Sequence, residues 1–436
     1  MESIWQETKL PAFPRLRGDV HTDVLIIGGG MAGLLTAHFL RENNVPYVLV
    51  EKGRIAGENT GHTTAKITMQ HGLIYHRILR SGGMEQARKY LRANTLACET
   101  YERLCSRIAC DYEKKDNYVY STEDSKKTEQ ELYALQRLGC DAALCRDLPL
   151  PIQIAGAVKV PGQAQFHPLK FLAGLVQGLC IYENTCVREM IGSTAITDTG
   201  KITAKQVVCA THFPFLNKHG SYFLKLYQHR SYVLALQNAA DVDGMYVDES
   251  DGGLSLRNYG RLLLLGGGGS RTGRKNGNWA ELRAFARAHY PRAREVGFWA
   301  AQDCMSLDQM PYIGQYSART PRLFVETGFN KWGMTGSMVA ALAVCDRLTG
   351  RANDWADVFD PSRSILKPQL LVNGFEAVVN WLTPSEKVCP HLGCALKWNR
   401  AEHSWDCPCH GSRFTAEGTL LDNPATGDLP DKNSAP

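Results

Sequence analysis

The run Thr22-Asp23-Val24-Leu25-Ile26-Ile27 opens polar and closes on four consecutive apolar residues. Such a run without alternation is the pattern of a strand covered on both faces, as in a parallel sheet. Gly28-Gly29-Gly30-Met31-Ala32-Gly33 follows, then a helical stretch to Leu40, then a second apolar run, Tyr47-Val48-Leu49-Val50. The segment 23–51 therefore reads strand, glycine turn, helix, strand. Further on, Ala87, Leu91, Leu96 and Leu104 lie near helical spacing within 84–109. Residues 111–121 alternate as a strand does, and 123–138 read as a charged helix. Short strands and helices then alternate from 157 to about 350. A polar, Pro-bounded stretch at 351–369 predicts a linker. Beyond it Leu371, Phe375, Val378 and Leu382 return to helical spacing before a tail dense in Cys, His, Gly and Pro. The mixture predicts an α/β plus α+β chain carrying a small tail with little core of its own.

Composition narrows the class without naming a function. A length of 436 residues predicts two or three domains, and 44% hydrophobic with 21% charged residues excludes disordered, collagenous and coiled-coil chains. The 49 basic residues are dispersed among 44 acidic ones, so no nucleic-acid partner is expected. The longest apolar stretch, Val24 to Leu40, holds four glycines and a histidine and is too short to span a membrane. The opening MESIWQETKLPAFPRLRGD lacks a charged segment followed by an apolar one, which predicts a cytoplasmic protein with mostly reduced thiols. Ten of the 14 cysteines are scattered and read as small buried hydrophobes, whereas four crowd into 389–409.

The glycine turn carries the first chemistry. Gly28 allows a tight turn, Gly30 lets backbone approach a pyrophosphate, and Gly33 lets the helix pack close to its strand. The helix N-terminus at Met31 and Ala32 would face phosphate charge. Glu51, ending the second strand, is placed to hydrogen-bond an adenosine ribose. The dinucleotide is FAD or NAD on this pattern alone. The order of further motifs resembles the D-amino-acid oxidase and glycine oxidase superfamily of FAD-dependent oxidoreductases. Those motifs are Glu51-Lys52, Gly61-His62-Thr63-Thr64-Ala65, Val207-Val208-Cys209-Ala210-Thr211, Asp308-Gln309-Met310-Pro311-Tyr312-Ile313-Gly314, and Thr327-Gly328-Phe329-Asn330-Lys331-Trp332-Gly333-Met334-Thr335. The resemblance implies FAD held by the glycine loop, Glu51, Lys52, Thr63, Thr64, Val187, Ala210, Thr211, Gly328 and Trp332 to Thr335. It implies a Rossmann-like FAD-binding domain near 20–85, 150–215 and 300–350, interleaved with a mixed-sheet substrate domain near 86–149 and 216–299. The helix opening at Gly333 would direct its positive end at the flavin. No second nicotinamide-binding unit is visible, since Gly266 to Gly269 leads into no helical pattern.

The tail carries the second chemistry. Cys389-Pro390-His391 and Cys407-Pro408-Cys409-His410 offer two thiolates and two imidazoles, with fifteen residues between His391 and Cys407. This spacing resembles the Rieske pattern, in which two cysteines hold one iron of a [2Fe–2S] cluster and two histidines the other. Neutral imidazoles raise such a cluster to about −150 to +300 mV. Zinc is the rival metal, but its paired spacings are absent here. The resemblance implies a disulfide between Cys394 and Cys409, a Ser412 hydroxyl donating to a bridging sulfide, and a cover loop at Asp422-Asn423-Pro424-Ala425. Phe414 stands where many respiratory members have a hydrogen-bonding tyrosine. Rieske domains usually place several strands ahead of the first cysteine. Here a helical pattern stands there instead, so the domain at 370–436 reads as a shortened, small all-β unit that leans on the flavoprotein body.

Several residues remain to be weighed. His71 and His76 lack the carboxylate that an iron site of Rieske oxygenases would need and read as structural. His62 does not match the offset of a covalent flavin attachment. Lys331 falls where glycine-oxidase relatives grip a substrate carboxylate with arginine, and a lysine offers a point charge in place of a fork. Tyr227, His229 and Arg230 are candidates for the substrate side of the flavin. The whole predicts an FAD-dependent enzyme that oxidises a small organic substrate, and the resemblance implies a C–N bond of an amine or amino acid. Its electrons would pass singly through the cluster to a protein or quinone acceptor, as in a dehydrogenase rather than an oxidase. Reverse flow from a reduced carrier, or a redox sensor without turnover, are the alternatives.

Overall fold

Val24 to Ile27 are almost fully buried because both faces of the strand Val20–Ile27 are covered, Val24 and Ile26 entering one apolar core and Leu25 and Ile27 another, while Lys201–Cys209 and Tyr47–Val50 flank it in parallel. Leu323–Thr327 continues the parallel order beyond Lys201–Cys209, and Ile181–Tyr182 beyond Tyr47–Val50. With the antiparallel edge Tyr312–Gln315 and the hairpin Val187–Ile191/Thr194–Thr197 they form an eight-stranded sheet. Helices Met31–Glu42 and Gly333–Thr349 pack together in the same apolar core as this sheet. The structure, a computed structural model, describes residues 2–216, 219–274 and 278–430.

A second, nine-stranded mixed sheet runs Arg294–Ser306, Leu226–Gln237, Leu262–Arg271, Ser255–Tyr259, Met245–Asp248, Glu113–Ser121, Gly156–Gln165 and Lys66–Ile67, with Ala143–Cys145 beside Gly156–Gln165. Gly266 to Gly269 lie within its strand Leu262–Arg271, consistent with the missing helical pattern. The expected helix at 84–109 is longer, Ile74–Cys105, and is interrupted at Gly83, whose φ of 77° departs from the helix.

The cluster tail is an antiparallel four-stranded sheet, Lys397–Asn399, Ser404–Asp406, Arg413–Thr415 and Leu420–Asp422. The stretch expected as a linker is laid along the body. Trp355, Val358 and Phe359 are buried, and Arg363 forms an ion pair with Asp308 at 2.8 Å. The expected helix forms as Pro368–Leu382, but its orientation is inverted. Asn373 and Asn380 are buried, while Leu371, Phe375, Val378 and Leu382 face out. Among the scattered cysteines Cys180 is exposed and Cys98, Cys140, Cys145 and Cys186 are half-buried, so the buried-hydrophobe expectation fails for these five.

Candidate functional site: a nucleotide cavity walled by the cluster lobe

The glycine turn is fixed by contact with its own fold. A Cβ on Gly33 would stand 2.0 Å from the Gly28 carbonyl oxygen, and one on Gly28 would stand 2.4 Å from that of Ala210. Gly28 also has a φ of 115°, a conformation that L side chains rarely adopt. Gly30 is the residue before the helix, which has no side-chain cap there, and the nearest atom to a Cβ would be Thr60 Oγ1 at 3.5 Å. The loop thus presents backbone and a helix N-terminus to the adjoining space, with Met31 N donating to Thr60 Oγ1 at 3.0 Å.

That space is a cavity of about 860 Å³. One end is lined by Gly28, Gly30, Met31, Ala32, Glu51, Lys52, Val187, Ala210 and Thr211, the middle by Asn59, Thr60, Thr63 and Thr64, and the other end by Lys331, Trp332, Gly333 and Met334. Gly33, Gly328 and Thr335 stand behind the lining. Thr335 Oγ1 donates to Thr68 O at 2.9 Å. Glu51 accepts from Gly29 N at 2.8 Å and Gly53 N at 2.9 Å, leaving further lone pairs for ribose hydroxyls. Lys52 is paired with Glu58 at 2.6 Å. His62 also lines the cavity, its Nδ1 engaged by Glu58 O at 2.8 Å.

At the far end the expected Lys331 is joined by His71, which the sequence reading took as structural, and by side chains that no motif revealed. His71 stacks on Trp332 with ring centroids 5.0 Å apart, and burial lowers its pKa to about 3. Arg77, Gln309 and Asp303 also line this end. Lys331 Nζ donates to Asp251 O at 3.0 Å. Burial lowers the Lys331 pKa, with Asp303 and Asp251 opposing, and burial raises that of Asp303, with Lys331 opposing. His71, Arg77, Asp303 and Gln309 come from segments far apart in sequence, so no local spacing announces their meeting with Lys331.

Tyr227 and Arg230 do not line the cavity. The pleat of Leu226–Gln237 sends Gln228 and Arg230 to the face that carries the cluster lobe, where Arg230 Nε donates to Glu402 Oε1 at 2.9 Å. Tyr227 lies under the Arg271 guanidinium, 4.9 Å from its ring centre. His229 is buried, and burial lowers its pKa to about 2.

The cluster lobe brings Cys389, Cys407, His391 and His410 together. The two thiols are buried and share a hydrogen bond, and the two rings lie 4.9 Å apart. Burial lowers His391 to about 4 and His410 to about 3, so both are neutral, as metal ligands must be. His410 Nε2 lies 3.0 Å from the Phe223 carbonyl, which can only accept, so the proton sits on Nε2. Nδ1 is then a bare lone pair, buried and without a hydrogen-bond partner. A lone pair so placed fits a metal ligand whose other nitrogen is held by the surrounding protein. Cys394 and Cys409 form a disulfide, and the sulfurs of Cys394, Cys407 and Cys409 lie within 4.8 Å of one another. The Ser412 side chain hydrogen-bonds Cys389 and accepts from Ala425 N at 3.0 Å. Phe414 is fully buried.

The lobe is docked on the body by polar contacts. Arg271 donates to Pro408 O at 3.0 Å and Cys409 O at 2.9 Å, and Gln302 Nε2 to Gly411 O at 2.8 Å. Gln228 Nε2 donates to Asn423 O at 2.8 Å, and Asn423 Nδ2 to Thr211 O at 2.6 Å and Phe213 O at 2.7 Å. Leu420, Leu421, Asn423, Ala425 and Thr426 of the lobe therefore form part of the cavity wall itself.

Comparison with known proteins agrees with this two-part site. Residues 23–347 match the model of the FAD dependent oxidoreductase family, and residues 378–432 that of the Rieske [2Fe-2S] domain. The Bacillus subtilis (strain 168) protein YhfW, described as a Rieske 2Fe-2S iron-sulfur protein, is 32% identical, with 98% of this chain and 97% of that one covered. Among solved structures, glycine oxidase from Geobacillus kaustophilus superposes with a TM-score of 0.66 at 19% identity, covering 79% of this chain and 100% of its own. L-proline dehydrogenase from P.horikoshii gives 0.66 at 16% identity, covering 80% and 98%. At these identities the two structures speak for the fold.

Proposed function

Since the chain belongs to the FAD-dependent oxidoreductase family and carries a Rieske [2Fe–2S] domain, we propose that it oxidises a small organic substrate, at a C–N bond of an amine or amino acid, and exports the electrons singly through the cluster. The observation that carries this reading is the shared wall, in which the cover loop of the cluster lobe closes one side of the nucleotide cavity. Bound in this cavity FAD would supply two-electron chemistry, and a [2Fe–2S] cluster held by Cys389, Cys407, His391 and His410 would supply one-electron chemistry.

In this reading the glycine loop and the helix at Met31 hold the pyrophosphate, Glu51 the ribose, and Thr63, Thr64 and the Gly333 helix the flavin end. Cys389, Cys407, His391 and His410 ligate the cluster. Lys331 supplies a positive charge at the substrate end, and Asp303 and Asp251 supply negative charge beside it. That pairing suits a substrate with both a carboxylate and an amine. A Lys331→Met protein is expected to raise KM for such a substrate roughly tenfold, ~1.4 kcal/mol of binding. Steady-state kinetics with a neutral amine as comparison would check this, because the amine should be little affected.

The lobe's direct seat on the cavity favours a dehydrogenase serving a protein or quinone acceptor over an oxygen-consuming oxidase. A cytoplasmic location accords with thiols that, among the described residues, are free apart from the Cys394–Cys409 disulfide. Anaerobic stopped-flow mixing with candidate amines and amino acids tests the electron route. Flavin bleaching should precede cluster reduction in the same molecule. A cluster that stays oxidised while reduced flavin persists would overturn the proposal.

A further inference from the structure

The helix Pro368–Leu382 is amphipathic in the wrong sense for a soluble protein. Its polar residues face inward: Asn373 Oδ1 accepts from Arg271 at 2.8 Å and Glu376 pairs with Arg274, both of the body, while the Asn380 main-chain carbonyl accepts from Ala395 N of the cluster lobe at 2.9 Å. Its apolar residues face out, with Leu371 78%, Phe375 70%, Trp381 66% and Leu382 68% exposed. Leu366 ahead of the helix and Val388 and Leu392 after it are exposed too. A surface helix normally buries that stripe against its own core. Contiguous exposed apolar surface on this scale marks a place where another apolar phase is met.

Charge indicates which phase. In residues 361–400 Arg363 is held by Asp308 and Glu376 by Arg274, which leaves Lys367, Lys387, Lys397 and Arg400 against Glu386. Glu376, the one acid of the helix, is turned inward to Arg274, so the outward face is uncharged and Lys367 stands at its start. An uncharged apolar strip with a tryptophan near one end and lysines before and after it in the chain complements an anionic lipid surface. The face is a single convex helix, and among the described residues no helix is long and apolar enough to cross a membrane. We infer that this helix lies in the interface of an anionic membrane, its outward face seated at the headgroup–acyl boundary. Trp381 approaches Gly393 of the cluster loop, and Asn380 holds Ala395, so the loop that follows Cys389 is carried to the lipid with the helix. A lipid-dissolved acceptor of the quinone class would then come within reach. That last consequence rests on the outward electron flow proposed above, whereas membrane binding does not.

Flotation of the intact holoprotein with vesicles of phosphatidylcholine plus phosphatidylglycerol, against phosphatidylcholine alone, tests the inference without turnover. The protein should float with the anionic vesicles, and brominated lipid should quench tryptophan emission in the wild type but much less in Trp381→Phe. A Leu371→Ser/Phe375→Ser protein with unchanged flavin and cluster spectra should bind more than roughly tenfold less. Failure to float with either vesicle would overturn the inference. So would light scattering that finds a dimer which the double variant converts to monomer, since the face would then belong to a second copy of the chain.

Discussion

A Cys407→Ser protein is expected to retain its flavin and lose its cluster completely. Cys407 is fully buried, and the core of the lobe consists of Cys389, Cys394, Leu396, Cys407, Cys409, Phe414 and Ala425, so four of its seven members are cysteines. Two of the four are committed to the disulfide, which leaves no thiol to replace Cys407. A serine hydroxyl is too weakly acidic and too hard to substitute for a thiolate on iron. So small an apolar core contributes little stability unaided, and metal binding in such a lobe is coupled to its folding. The lobe should therefore become more protease-sensitive at the same time. The glycine loop does not depend on Cys407, so the flavin absorption should persist. Iron content and the electron paramagnetic resonance spectrum of the reduced protein measure the loss. A variant that kept both signals would remove Cys407 from the ligand set.

This site was legible in sequence because its four proposed ligands come as two local pairs, each within four residues, so spacing alone displays them. The glycine turn was legible for a similar reason. A Cβ at Gly33 would collide with backbone five residues earlier, and that constraint is written into a short stretch. The substrate end was not. Lys331 stood out by its place in the Thr327–Thr335 motif, but Asp303, Arg77 and His71 meet it only after two sheets have assembled, and each of these three looks ordinary in its own neighbourhood. Arg230, expected at the substrate side, turns to Glu402 of the cluster lobe, because the strand was recognisable in sequence while the partner of each of its faces was not. The helix at Pro368–Leu382 makes the same point: periodicity reveals that a helix has an apolar stripe, but does not reveal whether that stripe meets the protein's own core.

Glu402→Gln is expected to loosen the cluster lobe from the flavoprotein body. Glu402 is shared by two guanidiniums: Arg230 of the body at 2.9 Å and Arg413 of the lobe at 2.9 Å. Arg413 also binds Asp406 and Asp422, each at 3.0 Å. The side chains of Glu402 and Arg413 are 1% and 6% exposed, so water cannot replace the lost charge. Removing one partner from a buried pair of this kind costs about 3–5 kcal/mol. Burial alone would raise the Glu402 pKa, but Arg230 and Arg413 hold it below the ordinary carboxylate value, and Asp422 is held down against burial by Arg413 and Arg230. Groups with depressed folded pKa values stabilise fully above the unfolded carboxylate range, and that stability is lost as pH falls through the lowered values. Wild-type docking should therefore be strong at neutral pH and weaken only in acid, whereas Glu402→Gln should be weak already at neutral pH and show a flatter acid limb. Amide exchange across 407–426 and the rate of flavin-to-cluster electron transfer, both followed against pH, would check this. Reduction of the flavin by substrate should be little changed in the variant, because Arg230 and Glu402 stand outside the cavity. If substrate reduction fails instead while the lobe stays protected, Arg230 returns to the substrate side and the docking role is lost.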